Sequence, residues 1–280
     1  MVVRARGVRA NGLEFGLLEA GSGPLALCLH GFPDSAHTWR HLLPALAGAG
    51  FHAVAPFLRG YAPTAVPDDG RYGIGTLVAD AVALHQALDG DGDAVRIGHD
   101  WGAEAAYGAA ASAPERWRRV VTLGVPPPGL DPLLFGDYQQ LKRFFYLFLF
   151  RDSLARAVEV VAADGMAFLD RLWQDWSPGY DAAEAIARAK ESLRQPANLA
   201  AAISYYRDPA VGAPPRRRAG RPTLYLHGGA DGCIGADLVG GAERLLPSGS
   251  RMTLVQGAGH FPHLEKPEEV NGHILSWVTG

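Results

Sequence analysis

The chemically reactive residue types of this 280-residue chain are concentrated in short segments flanked by glycine. The segment Gly98-His99-Asp100-Trp101-Gly102 has the form Gly-x-nucleophile-x-Gly, a sharp strand-to-helix turn that exposes a nucleophilic side chain. A carboxylate is ionised at neutral pH, so Asp100 can attack an alkyl carbon without a base to deprotonate it. An Asp between a strand and a helix is also a common N-cap. The segment alone leaves both roles open.

Three further segments supply the partners that a nucleophilic carboxylate needs. His260 lies in the glycine-rich segment 257–267, after the last expected strand, where its imidazole can act as a base. Asp231 follows the preceding strand and can orient that imidazole. The segment 30–33, His-Gly-Phe-Pro, offers backbone N–H groups to an oxyanion. Asp100, Asp231 and His260 therefore occur in the chain order nucleophile, acid, base.

Short apolar runs that alternate with helical patterns must position these residues, and this alternation predicts βαβ units with a mostly parallel sheet. A hairpin through Asn11-Gly12 precedes them. The expected strands cover residues 25–29, 51–55, 94–98, 120–124, 223–227 and 251–255, and the expected helices cover 38–48, 74–88 and 101–113.

The alternation stops after Val125, where Pro126-Pro127-Pro128-Gly129 marks a boundary. Only helical patterns follow until a second proline-rich segment, 214–218. We therefore expect an α/β core formed by residues 1–128 and 217–280, with a helical insertion at 129–216.

Composition and charge exclude several classes of protein. A balance of 26 basic and 29 acidic residues, net charge −3, gives no electrostatic basis for nucleic-acid binding. Two cysteines, Cys28 and Cys233, are too few for a disulfide framework or a cysteine zinc site. His260 and His263 are not part of a His-Glu-x-x-His helix, and the longest apolar run, 144–150, is too short to span a bilayer. We expect a cytoplasmic protein with no metal, cofactor or membrane partner.

These motifs resemble the α/β-hydrolase superfamily over essentially the whole chain, and within it the Asp-nucleophile branch of epoxide hydrolases and dehalogenases. The resemblance implies a mostly parallel eight-stranded sheet with flanking helices, covered by the insertion as a cap. It assigns the oxyanion donors to the backbone N–H groups of Phe32 and Trp101. It also implies a triad of Asp100, Asp231 and His260.

Epoxide hydrolases carry two cap tyrosines that hold the epoxide oxygen. The segment Ser204-Tyr205-Tyr206-Arg207 resembles the family's aromatic-Tyr-Arg segment, which makes Tyr206 the ring-opening tyrosine. The segment 146–150 resembles the one that carries the second, at Tyr146, although core packing also produces aromatic runs at helical spacing. Tyr205 and Tyr138 are reserve candidates. Trp101, Phe32 and Tyr205 are the expected substrate contacts.

The expected reaction converts an epoxide to a vicinal diol: Asp100 forms an alkyl ester, which water activated by His260 and Asp231 hydrolyses. A haloalkane dehalogenase with the same triad is the alternative; it needs N–H donors for halide, which Trp101 also offers. Fluoroacetate dehalogenases carry an arginine where this chain has Trp101. The expected substrate is a small, uncharged, apolar or aromatic epoxide, and a homodimer is left open. The cap aromatics behind this expectation are Phe144, Phe145, Phe148, Trp173 and Trp176.

Overall fold

Eight strands form one sheet in the computed structural model, which describes residues 2–208 and 220–280. The order across the sheet is β1-β2-β4-β3-β5-β6-β7-β8; β2 pairs antiparallel with β1 and with β4, and the other pairs are parallel. The strands are β1 (Arg4–Ala10), β2 (Leu13–Ala20), β3 (Leu25–Leu29), β4 (His52–Pro56), β5 (Val95–His99), β6 (Arg119–Leu123), β7 (Thr223–Gly228) and β8 (Arg251–Val255). The expected mostly parallel, eight-stranded α/β architecture is confirmed.

The central strands are buried along their whole length, because helices cover both faces of a parallel sheet. Every residue of β3, β5 and β7 is buried, whereas most of the edge strand β1 is exposed. This explains why the central strands appear in the sequence as short, nearly continuous apolar runs. Their observed bounds lie within one residue of the expected ones.

Helices α1, α2, α3 and α11 flank the sheet, with α2 packed on α3 and α1 on α11. The expected helix over 38–48 is confirmed only over its second part, Leu42–Gly48, because a 3₁₀ turn, Ala36–Arg40, takes the place of its first turn. Pro44 has no N–H to donate to the carbonyl of Arg40, so a continuous α-helix cannot cross this point. The bounds of these helices are α1 (Leu42–Gly48), α2 (Ile74–Ala87), α3 (Trp101–Ser112) and α11 (Pro267–Thr279).

The described part of the insertion between β6 and β7 is helical and ends in a 3₁₀ turn, Tyr205–Arg207. Non-helical backbone at 163–166 interrupts its longest helix, α7. The predicted border at 216/217 lies outside the described residues. The helices are α4 (Asp131–Leu134), α5 (Tyr138–Arg143), α6 (Phe145–Asp152), α7 (Leu154–Trp176), α8 (Ala183–Leu193) and α9 (Pro196–Ser204). A short helix, α10 (Pro262–Glu265), precedes α11.

None of the helices in these described ranges is both long enough and apolar enough to cross a membrane.

Candidate active site

The carboxyl ends of the parallel strands bring the sequence-predicted residues to one edge of the sheet. Gly31 lies just after β3, Asp100 directly after β5, Asp231 after β7 and His260 after β8. The strands β3, β5, β6, β7 and β8 are consecutive neighbours in the sheet, so these four segments lie side by side. In open α/β sheets this edge is where ligands bind.

Asp100 stands in a strained turn between β5 and α3. Its backbone has φ 52° and ψ −117°, a conformation that costs a non-glycine residue on the order of 1–3 kcal/mol and is concentrated at functional sites. The flanking glycines permit the turn, since a Cβ on Gly98 would lie 2.1 Å from the Gly102 carbonyl oxygen. Asp100 occupies the N-cap position of α3, yet its side chain accepts no capping hydrogen bond. The N-cap role therefore does not account for this carboxylate.

The two carboxylate oxygens of Asp100 have different surroundings. Oδ1 accepts a hydrogen bond of 2.7 Å from the backbone N–H of Phe32, whereas Oδ2 lies 3.9 Å from Nε2 of His260. Gly31 makes the first contact sterically feasible, because a Cβ there would lie 2.2 Å from Oδ1. Within the described residues, no hydrogen bond joins the backbone N–H of Trp101 to this carboxylate.

Asp231 and His260 form a fully buried hydrogen-bonded pair, with 2.9 Å between Oδ2 and Nδ1. The other oxygen of Asp231 accepts from the backbone N–H groups of Cys233 and Ile234, at 2.7 and 2.8 Å. Burial alone would lower the pKa of His260, but its attraction to Asp231 and Asp100 outweighs burial and raises the pKa to about 10. Nε2 of His260 has no hydrogen-bond partner among the described residues and lies on the side of Asp100.

Tyr146, in α6, and Tyr206, in the 3₁₀ turn after α9, lie together above Asp100. Their rings are 5.6 Å apart and perpendicular, and both side chains are buried. The Tyr206 hydroxyl has no hydrogen-bond partner in the part of the chain that the structure describes, whereas the Tyr146 hydroxyl lies 3.6 Å from Sγ of Cys233. Burial, and then neighbouring charges that include Asp100, raise the pKa of each phenol well above its ordinary value. Both phenols are therefore protonated at neutral pH.

The two reserve tyrosines have other surroundings. The hydroxyl of Tyr205 donates a 2.8 Å hydrogen bond to the Arg59 carbonyl, while its ring packs on Trp101. It therefore offers an aromatic surface but no free hydroxyl. Tyr138 is 71% exposed, so the structure does not bring it to the site.

Aromatic rings line the space around Asp100. Phe32 and Trp101 pack edge-on against Tyr206, with ring centroids 5.4 and 5.0 Å from the Tyr206 ring. Trp176 completes the wall on the side of His260, at 5.1 Å. Phe150 packs on Tyr206 at 5.2 Å. Aromatic rings thus surround the polar groups of Tyr206 and His260 that face Asp100.

The cap aromatics named from the sequence, which leaves their individual places open, divide between the outer surface and the interior. Phe145 and Phe148 are 46% and 61% exposed, because they lie on the outer face of α6, whereas Phe150 on its inner face is fully buried. Trp173 stacks on Phe261 with 3.5 Å between ring centroids and donates to the Pro33 carbonyl, so it supports the site from behind.

Sequence reasoning missed Tyr61 and Asp34. Asp34 follows β3 and Tyr61 follows β4, and both strands end at the edge of the sheet that carries the site. Their position after these strands is the sequence feature from which a role at the site could have been predicted. The buried hydroxyl of Tyr61 has no partner among the described residues; burial, and then the charges of Asp100 and Asp34, raise its pKa well above the ordinary value. Burial chiefly raises the pKa of Asp34 to about 7.

The sheet topology and the histidine–aspartate pair at its carboxyl edge define a hydrolase of the α/β type. The chain belongs to the alpha/beta hydrolase fold family, whose model matches residues 24–267. This confirms the membership expected from the motifs.

Among known proteins, the chain is similar to several epoxide hydrolases. It is 30% identical to Epoxide hydrolase A of Mycobacterium tuberculosis, over 98% of this chain and 96% of that protein. The crystal structure of Epoxide Hydrolase A from Mycobacterium thermoresistibile superimposes with a TM-score of 0.81 at 27% identity, covering 100% of this chain and 99% of that one. The structure of a mutant epoxide hydrolase from Bacillus megaterium was solved with its product, a naphthyloxy-propane-1,2-diol. It superimposes with a TM-score of 0.82 at 26% identity, covering 98% of this chain and 100% of that one.

Proposed function

We propose that this protein is an epoxide hydrolase that converts a small apolar or aromatic epoxide to a vicinal diol. The observation that carries the proposal is the pair of protonated hydroxyls of Tyr146 and Tyr206 close to a carboxylate, Asp100, in one aromatic cluster. An epoxide carbon needs a nucleophile on one side and its oxygen needs proton donors on the other. The names of the similar proteins support the same activity.

In the first step, Oδ2 of Asp100 attacks an epoxide carbon and the C–O bond of the ring breaks. The backbone N–H of Phe32 holds Oδ1, which leaves Oδ2 free to react. Tyr146 and Tyr206 hydrogen-bond the ring oxygen and one of them transfers its proton. As the ester forms, the negative charge moves from Asp100 to the epoxide oxygen. The Asp100 charge helps to raise the pKa of both phenols, so its loss makes them better proton donors at the moment when the oxygen needs a proton.

In the second step, His260 takes a proton from a water molecule that attacks Cγ of the ester. The ester has lost the Asp100 charge, which helps to raise the pKa of His260 in the free enzyme. Ester formation therefore lowers the pKa of His260, so the imidazolium releases its proton to solvent and the neutral imidazole acts as the base of this step. Asp231 stabilises the imidazolium that results by accepting a hydrogen bond from its Nδ1.

The tetrahedral intermediate places its negative charge on Oδ1, where the Phe32 N–H already points. A donor of this kind contributes about 2.7–4 kcal/mol to the transition state in comparable sites. The backbone N–H of Trp101 is the proposed second donor. When the intermediate collapses, the alcohol oxygen leaves with the proton from His260 and Asp100 is released as the carboxylic acid. That acid proton returns to the tyrosinate left by the first step, so the diol departs with Asp100 ionised and both tyrosines protonated.

The substrate class follows from the pocket. We propose that its walls are Phe32, Trp101, Phe150 and Trp176, whose rings pack on one another, on Tyr206 or on His260, and that residues 129–216 form the cap that closes it. Such walls favour apolar or aryl groups and offer no cation to a carboxylate-bearing substrate. The aryl diol bound by the Bacillus megaterium relative is a product of this type.

The alternative, a haloalkane dehalogenase, has one observation in its favour. The indole N–H of Trp101 is buried without a hydrogen-bond partner among the described residues and could receive a halide. However, halide is a good leaving group and needs no proton, so this activity would leave both tyrosine hydroxyls without a role.

Replacing Tyr206 by Phe separates the two activities. Tyr206→Phe removes one of the two proton donors, so diol formation from styrene oxide should fall by ~10²–10³. Halide release from 1-bromohexane, if the wild type releases any, should remain unchanged. The exposed Tyr138→Phe is the matched control. Full diol formation by Tyr206→Phe, or halide release by a wild type that forms no diol, would overturn the proposal.

A further inference from the structure

Behind the nucleophile lies a second buried cluster, formed by Asp34, His99 and His263. One carboxylate oxygen and one ring nitrogen from each histidine lie within 4.8 Å of one another. The three side chains are 0–1% exposed. They come from three separate loops or strand ends, after β3, at the end of β5 and in α10, so the fold itself assembles the cluster.

This cluster contains buried polar atoms that lack hydrogen-bond partners in the described part of the chain. Oδ2 of Asp34 and the Nδ1 atoms of His99 and His263 have no hydrogen-bond partner within residues 2–208 and 220–280. Nε2 of His99 must donate to the His260 carbonyl, 2.8 Å away, because a carbonyl can only accept. Neutral His99 therefore turns a lone pair on Nδ1 toward the cluster. Nε2 of His263 is hydrogen-bonded to the Thr38 hydroxyl, which leaves Nδ1 of that ring without a partner among the described residues. When Nε2 is the donor in that bond, Nδ1 carries a lone pair that a cation can accept.

We propose that Asp34, His99 and His263 bind a divalent transition-metal cation, with Zn²⁺ as the best match. Two neutral imidazoles and a carboxylate are common zinc ligands. Atoms no more than 4.8 Å apart have a central point within about 2.8 Å of each, so shifts of about 0.7 Å reach the ~2.0–2.2 Å of zinc–nitrogen and zinc–oxygen bonds. A bound cation would give these buried polar atoms the partner that the described residues do not provide.

A cation at this site inhibits the enzyme, a consequence that rests on the proposed function. The ring of His99 is 4.9 Å from that of His260, and the charges of Asp34 and Asp100 act on one another. A divalent charge there stabilises the Asp100 carboxylate and disfavours its loss on ester formation.

Binding is tested without activity by calorimetry with Zn²⁺ and by the visible absorption of Co²⁺ in the same site. The wild type should bind one Zn²⁺ per chain, and Co²⁺ should give the intense bands of a site with histidine ligands. His263→Phe keeps an aromatic ring to stack on Trp39, 4.7 Å away, but removes a ligand. It should weaken Zn²⁺ binding by ~100-fold or more. The nearby exposed His41→Gln should bind like the wild type.

Diol formation is then assayed against Zn²⁺ for each variant, relative to its own metal-free rate. Zn²⁺ should inhibit the wild type and His41→Gln at the concentrations at which it binds, and a chelator should restore activity. Asp34→Asn, with a thermal melt to verify folding, should lose the binding as His263→Phe does. Absence of Zn²⁺ binding, or binding that survives both substitutions, would overturn the site. Binding as expected in a protein that forms no diol would leave the site intact and refute the proposed function instead.

Discussion

Asp231→Asn tests the division of labour between the two halves of the reaction. Asn can keep the acceptor contacts to the backbone N–H groups of Cys233 and Ile234 with its oxygen. Its NH₂ group then faces Nδ1 of His260, which must become an acceptor. The ring proton moves to Nε2, on the side of Asp100, and the imidazole can no longer accept a proton from water.

The magnitude of the effect follows from the pKa of His260. The rise from 6.5 to about 10 corresponds to ~5 kcal/mol in favour of the imidazolium. Asp231 makes the larger favourable contribution and is the one that remains once Asp100 is esterified. Its loss should therefore slow ester hydrolysis by ~10²–10⁴, a range whose upper end equals the cost of the same substitution in Ser-His-Asp enzymes.

The assay is a rapid-quench single turnover with styrene oxide, followed by intact-protein mass spectrometry. Asp231→Asn should form the ester at nearly the wild-type rate and then accumulate it. The control is Asp237→Asn, an exposed carboxylate in the same loop, which should turn over normally. Wild-type hydrolysis by Asp231→Asn, or loss of ester formation in a folded variant, would refute the role assigned to Asp231.

Three further predictions concern the architecture around the site. Gly31→Ala should lower kcat/KM by at least ~10²-fold, because the new Cβ would lie 2.2 Å from Oδ1 of Asp100. The control Gly75→Ala, whose Cβ would have no neighbour within 4 Å, should keep its activity, and equal activities of the two variants would contradict the packing. Arg96→Met should raise the unfolding free energy by about 1–4 kcal/mol in urea titrations, because this buried guanidinium has no hydrogen-bond partner among the described residues; a loss of stability would contradict this. Folding raises the pKa of His260 to about 10, so the stability that its imidazolium contributes is fully present below about pH 6.5 and is lost as the pH rises through about 10. The free energy of unfolding, measured across this pH range, should therefore decline in the wild type, and His260→Ala should remove this part of the decline.

The fold and the position of the site edge could be predicted from local signals. Buried parallel strands are continuous apolar runs, and residues after consecutive strands must meet at one edge, as Asp100, Asp231 and His260 do. The sequence order of the segments was sufficient for this, because it depends on topology and not on side-chain packing.

Other features depend on which face a side chain takes, and this was not readable. Helix α6 carries apolar residues on several sides, so Phe148 and Phe150 could not be distinguished, although one is exposed and the other buried. The contact of Tyr146 with Cys233 and the cluster of Asp34, His99 and His263 join segments far apart in the chain. Loop conformation decides such contacts, and short sequence patterns do not specify it.

The most direct test of the proposed mechanism is to trap its covalent intermediate. His260→Ala removes the base for the second step and leaves the nucleophile and both tyrosines in place. After incubation with styrene oxide, the peptide that contains Asp100 should gain the mass of one epoxide, and Asp100→Asn should gain none at that residue. An unmodified Asp100 peptide from folded His260→Ala protein would contradict the proposal that this carboxylate is the nucleophile.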